Sequence, residues 1–412
     1  MNKYKTLAAL VATALLATAG AASAQTANVT GGGASLPADL YKGKPDSILP
    51  ANFSYAVTGS GTGKKAFLEN NSALFQASGT VHFAGSDSVL SGTELSTYNT
   101  TYNVSGDANR YGALIQVPSV ATSVTVPFNK VGGALNLTVT QICGVFSGKI
   151  NKWEDIAGSG RSGDLVVVYR DESSGTSELL TRFLTAACTK DDVAGTSLKP
   201  VVWAPNEVAA PKFAVQSTFK NLFVNNTAPA NFIPASATGG SALYSTVQAA
   251  VGRIGYVSPD AIPAADNTEA ARQAALSDAT KVAKVKGYSP NEVDVQATLE
   301  SAAPPSGAAA SDPANWVPVF GNPTTGYPIA GYTNLVFGQC YKNTTVANNL
   351  RTFLMGHYNA GTSGTNDTAV RAHGFIPLTK TWREAIRARF VLAGNAAALN
   401  NPSTCANIGR PQ

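Results

Sequence analysis

The chain has 412 residues, of which 44% are hydrophobic and only 13% charged, with a formal net charge of +5. That length exceeds one comfortable core, so two domains are expected. The small positive charge comes without a Lys/Arg run, which speaks against a nucleic-acid or membrane-surface binder.

In chain order, residues 1–24 read as a cleavable signal peptide. Lys3 and Lys5 form a basic start, Leu7–Ala19 is apolar, and Ala22-Ser23-Ala24 is a small-residue cleavage site. The apolar stretch is short for a membrane span, and no later stretch is long enough, so membrane insertion is not expected. No Cys precedes Cys143, so a mature chain starting near Gln25 has no lipid-bearing cysteine there. A periplasmic or secreted protein is expected.

Gly31-Gly32-Gly33-Ala34-Ser35-Leu36-Pro37 follows a short extended start, and Ala38–Tyr41 can begin a helix. Pro37 suits the first helical position, where its missing N–H costs nothing. Ser35 offers a hydroxyl and Leu36 a backbone N–H at the helix mouth. Phe53–Val57 reads as a strand, followed by Thr58-Gly59-Ser60-Gly61-Thr62-Gly63 and a helix over Lys64–Glu69. The loop departs from a nucleotide P-loop: Thr58 stands where Gly is needed, and Lys64 is followed by Lys65. What survives is a glycine-rich loop presenting Ser60 at a helix start. Val81–Ala84 reads as a third strand, ending in Gly85-Ser86-Asp87-Ser88. Asp87 is either a helix cap or a carboxylate for a ligand.

Leu165–Tyr169 is an apolar, β-branched run that ends at Arg170. Ser174-Gly175-Thr176 follows, then the amphipathic Glu178–Leu184. Strand, short loop and helix start aim free N–H groups and a positive dipole end at one point. Two hydroxyls, a close-approach glycine and a forked cation suit a small tetrahedral oxyanion. A capped helix start after a buried strand is the plainer alternative. Thr238-Gly239-Gly240-Ser241 opens a further helix, Ala242–Ala250, before the strand-like Arg253–Val257. Four such units predict an α/β fold, in which ligands bind beyond the carboxyl ends of the strands.

The four cysteines, Cys143, Cys188, Cys340 and Cys405, allow three pairings in an exported chain. Cys143–Cys188 with Cys340–Cys405 is favoured, because each closes a moderate loop within one domain. His82, His357 and His373 form no ligand cluster, so no metal and no cofactor are expected.

Several segments, in order, carry a family signature. They are Gly31 through Pro37, Gly59 through Lys64, Ala84 through Ser88, Leu114 through Val120, Cys143 through Trp153, Arg170 through Glu178, and Gly252 through Tyr256. The set resembles the DING proteins, a branch of the periplasmic phosphate-binding proteins that serve ABC-type importers. One departure is visible: Asn28-Val29-Thr30-Gly31 stands where the family's Asp-Ile-Asn-Gly start would be. The resemblance implies a two-lobed clamshell of the type II binding-protein class, each lobe a sheet flanked by helices. Lobe one would be 25–117 plus 258–412, and lobe two 118–257, with crossings near Val117–Val124 and Tyr256–Pro259. Ser301–Ala314 would be a surface loop. The implied ligand is inorganic phosphate, held by Ser35, Leu36, Ser60, Asp87, Arg170, Ser174, Gly175 and Thr176. The implied partner is a transporter permease, the chain itself acting as a monomer without enzymatic activity.

Asp87 gives this set its selectivity. Phosphate near neutral pH carries a proton that a carboxylate can accept, whereas sulfate offers only lone pairs. Two other readings compete: a phosphomonoester hydrolase, and a binder of a related oxyanion such as arsenate.

Overall fold

The structure, a computed structural model, describes residues 29–359, 361 and 364–411. The expected signal peptide lies outside them. In chain order the strands are β1 (Gly31–Gly33), β2 (Ala56–Val57), β3 (Phe83–Ser86), β4 (Leu114–Ser123), β5 (Phe128–Asn129), β6 (Asn136–Leu137), β7 (Val166–Tyr169), β8 (Pro200–Val201), β9 (Ala210–Pro211), β10 (Phe232–Pro234), β11 (Arg253–Gly255), β12 (Lys284–Val285) and β13 (Ala330–Gly338). The helices used below are α1 (Ala38–Tyr41), α2 (Ser60–Leu68), α3 (Gly92–Thr101), α4 (Val139–Ser147), α5 (Gly175–Ala187) and α6 (Gly240–Gln248).

Two mixed sheets define a two-lobed α/β clamshell. The first has the order β2-β1-β3-β13-β4 and the second β10-β7-β11-β5. In the first, β2, β1 and β3 are parallel. In the second, β10, β7 and β11 are parallel. Parallel strands end on one edge of their sheet, so the loops after β1, β2, β3 and β7 gather where ligands bind. Helix α2 packs on β1 and β3, and α6 on β11 and β7.

The all-glycine β1 departs from the expected loop-like start. It is a fully buried strand in the middle of the sheet. A Cβ on Gly31 would fall 2.1 Å from the Phe83 ring, and one on Gly33 (φ +133°) 2.2 Å from the Gly85 carbonyl oxygen. Phe83 on β3 fills the space the glycines leave, so the run is set by packing rather than by a turn. Pro37 stands one position earlier than expected, as the residue capping α1.

Near Thr125 and Val257 the chain passes between the lobes twice, side by side. Thr125 N–H donates to Val257 O at 2.8 Å, Val257 N–H donates back at 3.0 Å, and the Thr125 hydroxyl also reaches Val257 O at 3.0 Å. Strand pairing differs from the expected lobe limits in two places. Strand β4 stays in the first sheet through Ser123, paired with β13, because its residues are buried along the whole run. Residues 279–285 pair with the second unit: Ala283 N–H donates to Val126 O at 2.9 Å, and β12 lies parallel to β6.

Both expected disulfides are present. Cys143–Cys188 ties α4 to the end of α5, and Cys340–Cys405 anchors the C-terminal tail. The segment 301–314 is more than a surface loop. It forms short 3-10 turns at Gly307–Ser311 and from Pro313, and Ala310 is buried beside Trp316, whose ring N–H donates to it at 2.9 Å.

Candidate functional site

Each loop expected to face a ligand does sit at a strand end. Ser35 and Leu36 follow β1, and Ser60 opens α2. Asp87 follows β3, and Arg170 follows β7. Ser174 caps α5, with its hydroxyl accepting from Ser177 N–H at 3.4 Å. Gly175 and Thr176 form the first turn of that helix, where backbone N–H groups have no intrahelical acceptor.

These residues meet across the lobes. Ser60, Asp87, Arg170, Ser174 and Thr176 are each at most 2% exposed. Arg170 Nη2 donates to Ser35 Oγ at 3.2 Å, lobe two to lobe one. The Ser60 hydroxyl accepts from Asp87 N–H at 3.0 Å and faces Asp87 Oδ2 at 3.4 Å. Gly175 lies against the Asp87 carboxyl so closely that a Cβ there would be 2.2 Å from Asp87 Cβ and Oδ2. A helix start and a carboxylate this close would be incompatible with any side chain but hydrogen.

The capping role for Asp87 falls away. Helix α3 is capped by Ser91, which forms a reciprocal box with Glu94. Asp87 Oδ1 and, next to Gly175, Thr176 Oγ1 are buried and hydrogen-bond to nothing in the protein. Burial lifts the Asp87 carboxyl from 3.8 to about 7; Thr333, Ser60 and Arg170 oppose that rise, and the charge of Glu178 adds to it. The Thr333 hydroxyl faces Asp87 without making a hydrogen bond of good geometry.

Sequence reasoning missed the residues that hold Arg170, Tyr256 at its backbone N–H and Glu172 at its guanidinium. The Tyr256 hydroxyl accepts from Arg170 N–H at 3.1 Å and pairs with Ser177 Oγ at 2.7 Å. Glu172 forms an ion pair with Arg170 Nε and also accepts from Gly239 N–H at 3.0 Å. So the Thr238–Ser241 loop reaches the site through Glu172, not by touching Asp87. Tyr256 stands 86 residues from Arg170, and its spacing carries no signal. Beyond Ser35 and Arg170 the interlobe cleft widens into a hollow of about 540 Å³, rimmed by Asp39, Glu172 and Asp260.

The arrangement brings hydroxyl and backbone N–H donors, one carboxylate and one guanidinium together among buried side chains. That combination can hold a small protonated oxyanion. Among the described residues no three His, Cys, Asp or Glu side chains gather to hold a metal ion, and no helix is long and apolar enough to cross a membrane.

The PBP superfamily domain model matches residues 17–354. The chain belongs to the PBP superfamily. Within it, the chain is similar to a phosphate-binding protein of Stenotrophomonas maltophilia, at 70% identity and a TM-score of 0.85, covering 93% of this chain and 99% of that one. It is also similar to a high-affinity periplasmic phosphate-binding protein of the DING type solved with phosphate bound, at 43% identity and a TM-score of 0.79, covering 93% and 99%. A curated relative from Pseudomonas aeruginosa, named alkaline phosphatase L, is 49% identical over 97% of this chain and 98% of its own. The DING signature read from the sequence therefore places this PBP-superfamily chain correctly.

Proposed function

We propose that the protein binds inorganic phosphate between its lobes and hands it to an ABC-type importer. The observation that carries this is that Asp87 Oδ1 of lobe one and Thr176 Oγ1 of lobe two are both buried without a hydrogen-bond partner, while Gly175, the neighbour of Thr176, lies against the Asp87 carboxyl. A buried polar group left unpaired costs about 1–3 kcal/mol. One occupant relieves both by presenting a hydrogen to the Asp87 carboxylate and a lone pair to the Thr176 hydroxyl. Protonated phosphate does so; sulfate does not.

In this reading Ser35, Leu36, Ser60 and Asp87 hold the ion from lobe one. Arg170, Ser174, Gly175 and Thr176 hold it from lobe two. Arg170 offsets the ligand charge with its outer nitrogens, while Glu172 holds its guanidinium and Tyr256 its backbone N–H. The sheet pairing supports lobes that part after Ser123 and rejoin after Val257, with 279–285 riding on lobe two. Two disulfides suit an oxidising compartment outside the cytoplasm.

Calorimetry of phosphate-free protein tests the reading. Phosphate should bind with a Kd on the order of micromolar or tighter, with sulfate far weaker. Equal affinity for both ions would overturn it. Because three relatives carry a phosphatase name, the same preparation is assayed for phosphate release from a phosphomonoester. Turnover lost in Ser35→Ala would establish hydrolysis at this site, and arsenate in the same titration tests the related-oxyanion reading.

A further inference from the structure

Two separate arms of lobe two reach the cage. Arg170 follows β7, and Ser174 through Thr176 open α5. The chain between them, residues 171–173, has no regular structure, and Asp171 and Ser173 are exposed. That link alone would leave the arms free to shift against each other. A buried hydroxyl ties them directly. Tyr256 Oη accepts from Arg170 N–H at 3.1 Å and pairs at 2.7 Å with Ser177 Oγ, in the first turn of α5. Ser177 N–H in turn donates to Ser174 Oγ at 3.4 Å. Tyr256 and Ser177 are both 0% exposed.

The strut stands on packed structure. The Tyr256 ring lies 5.4 Å from the Phe219 ring and edge-on to Phe146 at 5.9 Å. Its backbone follows β11 and precedes Val257, which is bonded to Thr125. Close-packed interiors of this kind yield little. Burial pushes the phenol far above its ordinary value, so the bridging proton stays in place. Arms held at one spacing admit one size of ion. Phosphate and arsenate carry the same charges and protons, so charge and protonation cannot separate them at Asp87 or Arg170. Arsenate has the longer bonds, and fit alone distinguishes the two.

We infer that the Tyr256 hydroxyl is a positioning group: it fixes the spacing between Arg170 and the start of α5, and so selects phosphate over the larger arsenate. This size gauge rests on the phosphate reading and adds to it a second kind of selectivity, separate from the proton test made by Asp87.

Competition calorimetry of phosphate-free protein with phosphate, arsenate and sulfate tests it, for wild type, Tyr256→Phe, Ser177→Ala and the double variant. Tyr256→Phe keeps the ring and removes the strut. Phosphate affinity should fall about tenfold, the order of one lost hydrogen bond. Phosphate-over-arsenate preference should fall at least about threefold, because a loosened cage admits the larger ion. Phosphate-over-sulfate preference should hold, which a general loss of structure would not spare. Ser177→Ala frees one arm and should move the arsenate ratio the same way, and the double variant should go no further than Tyr256→Phe. Tyr98→Phe removes another buried hydroxyl, bonded to Gly112 O at 3.0 Å, and should leave the ratio unchanged. If Tyr256→Phe fails to fold, Ser177→Ala carries the test. An arsenate ratio unmoved in these variants would overturn the gauge, as would a wild type that binds both ions equally; in either case phosphate binding stands. A wild type that binds no phosphate would remove the phosphate reading and the gauge together.

Discussion

Gly175→Ala separates folding from closure. The added methyl carbon would sit 2.2 Å from two Asp87 atoms, where ordinary contact starts at 3.4 Å. Relief requires the lobes to part by about 1.2 Å along that contact, the difference between those distances. Hydrogen bonds near 2.9 Å would stretch to about 4 Å, beyond bonding range. Bonds to a charged group are worth about 1.5–3 kcal/mol each. Loss of two of the lobe-two bonds therefore costs about 3–6 kcal/mol, or about 10²–10⁴ in affinity. Yet Gly175 is helical and adopts no left-handed backbone, and Ala within a helix is favoured over Gly by about 0.5–1 kcal/mol. Ligand-free thermal stability should hold or rise while calorimetry shows phosphate affinity falling at least about a hundredfold. An affinity within about threefold of wild type would refute the idea that this contact forms in the bound state.

Asp87→Asn should cut phosphate-over-sulfate preference by at least about a hundredfold, because an amide can donate to sulfate; competition titration reads the ratio, and an unchanged ratio removes Asp87 from ion discrimination. The same residue sets a pH signature. Its carboxyl is raised from 3.8 to about 7 in the fold, so its stabilising contribution is complete below 3.8 and is lost as pH rises through 7. His82 and His357, driven down to about 4 by burial, slope the opposite way. Chemical unfolding of ligand-free Asp87→Asn should therefore gain on wild type as pH rises between 4 and 7, and a pH-independent difference would contradict the buried state of Asp87. Cys143→Ala/Cys188→Ala opens a loop with a sequence separation of 45 and should lower unfolding free energy by about 4 kcal/mol in the chain-entropy limit; an unmoved urea midpoint would show that the bridge adds no stability.

Local chemistry made the strand-end loops legible. A β-branched run ending at Arg170 and a Ser-Gly-Thr helix start needed no tertiary knowledge. Asp87 was harder, since the same residue can cap a helix; only the Ser91–Glu94 box, which starts four residues further on, decides against it. The glycines of β1 read as loop because their cause, the Phe83 ring, lies on another strand. Tyr256 was invisible as a site neighbour for a similar reason: its partner Arg170 lies 86 residues away. The return of 279–285 to the second lobe depends on pairing with 126–137, which no local pattern announces.

The doubled crossing at Thr125 and Val257 has a mechanical consequence. One strand alone would be a swivel, free to twist as well as bend. Two strands pinned to each other by reciprocal hydrogen bonds resist twist, and the return of 279–285 to the second lobe adds to that restraint. Every closing stroke then follows nearly the same arc and delivers the start of α5 to the same carboxylate. The protein measures its ion with a caliper whose jaws are aligned by the pivot, so alignment does not have to be supplied by whatever lies between them.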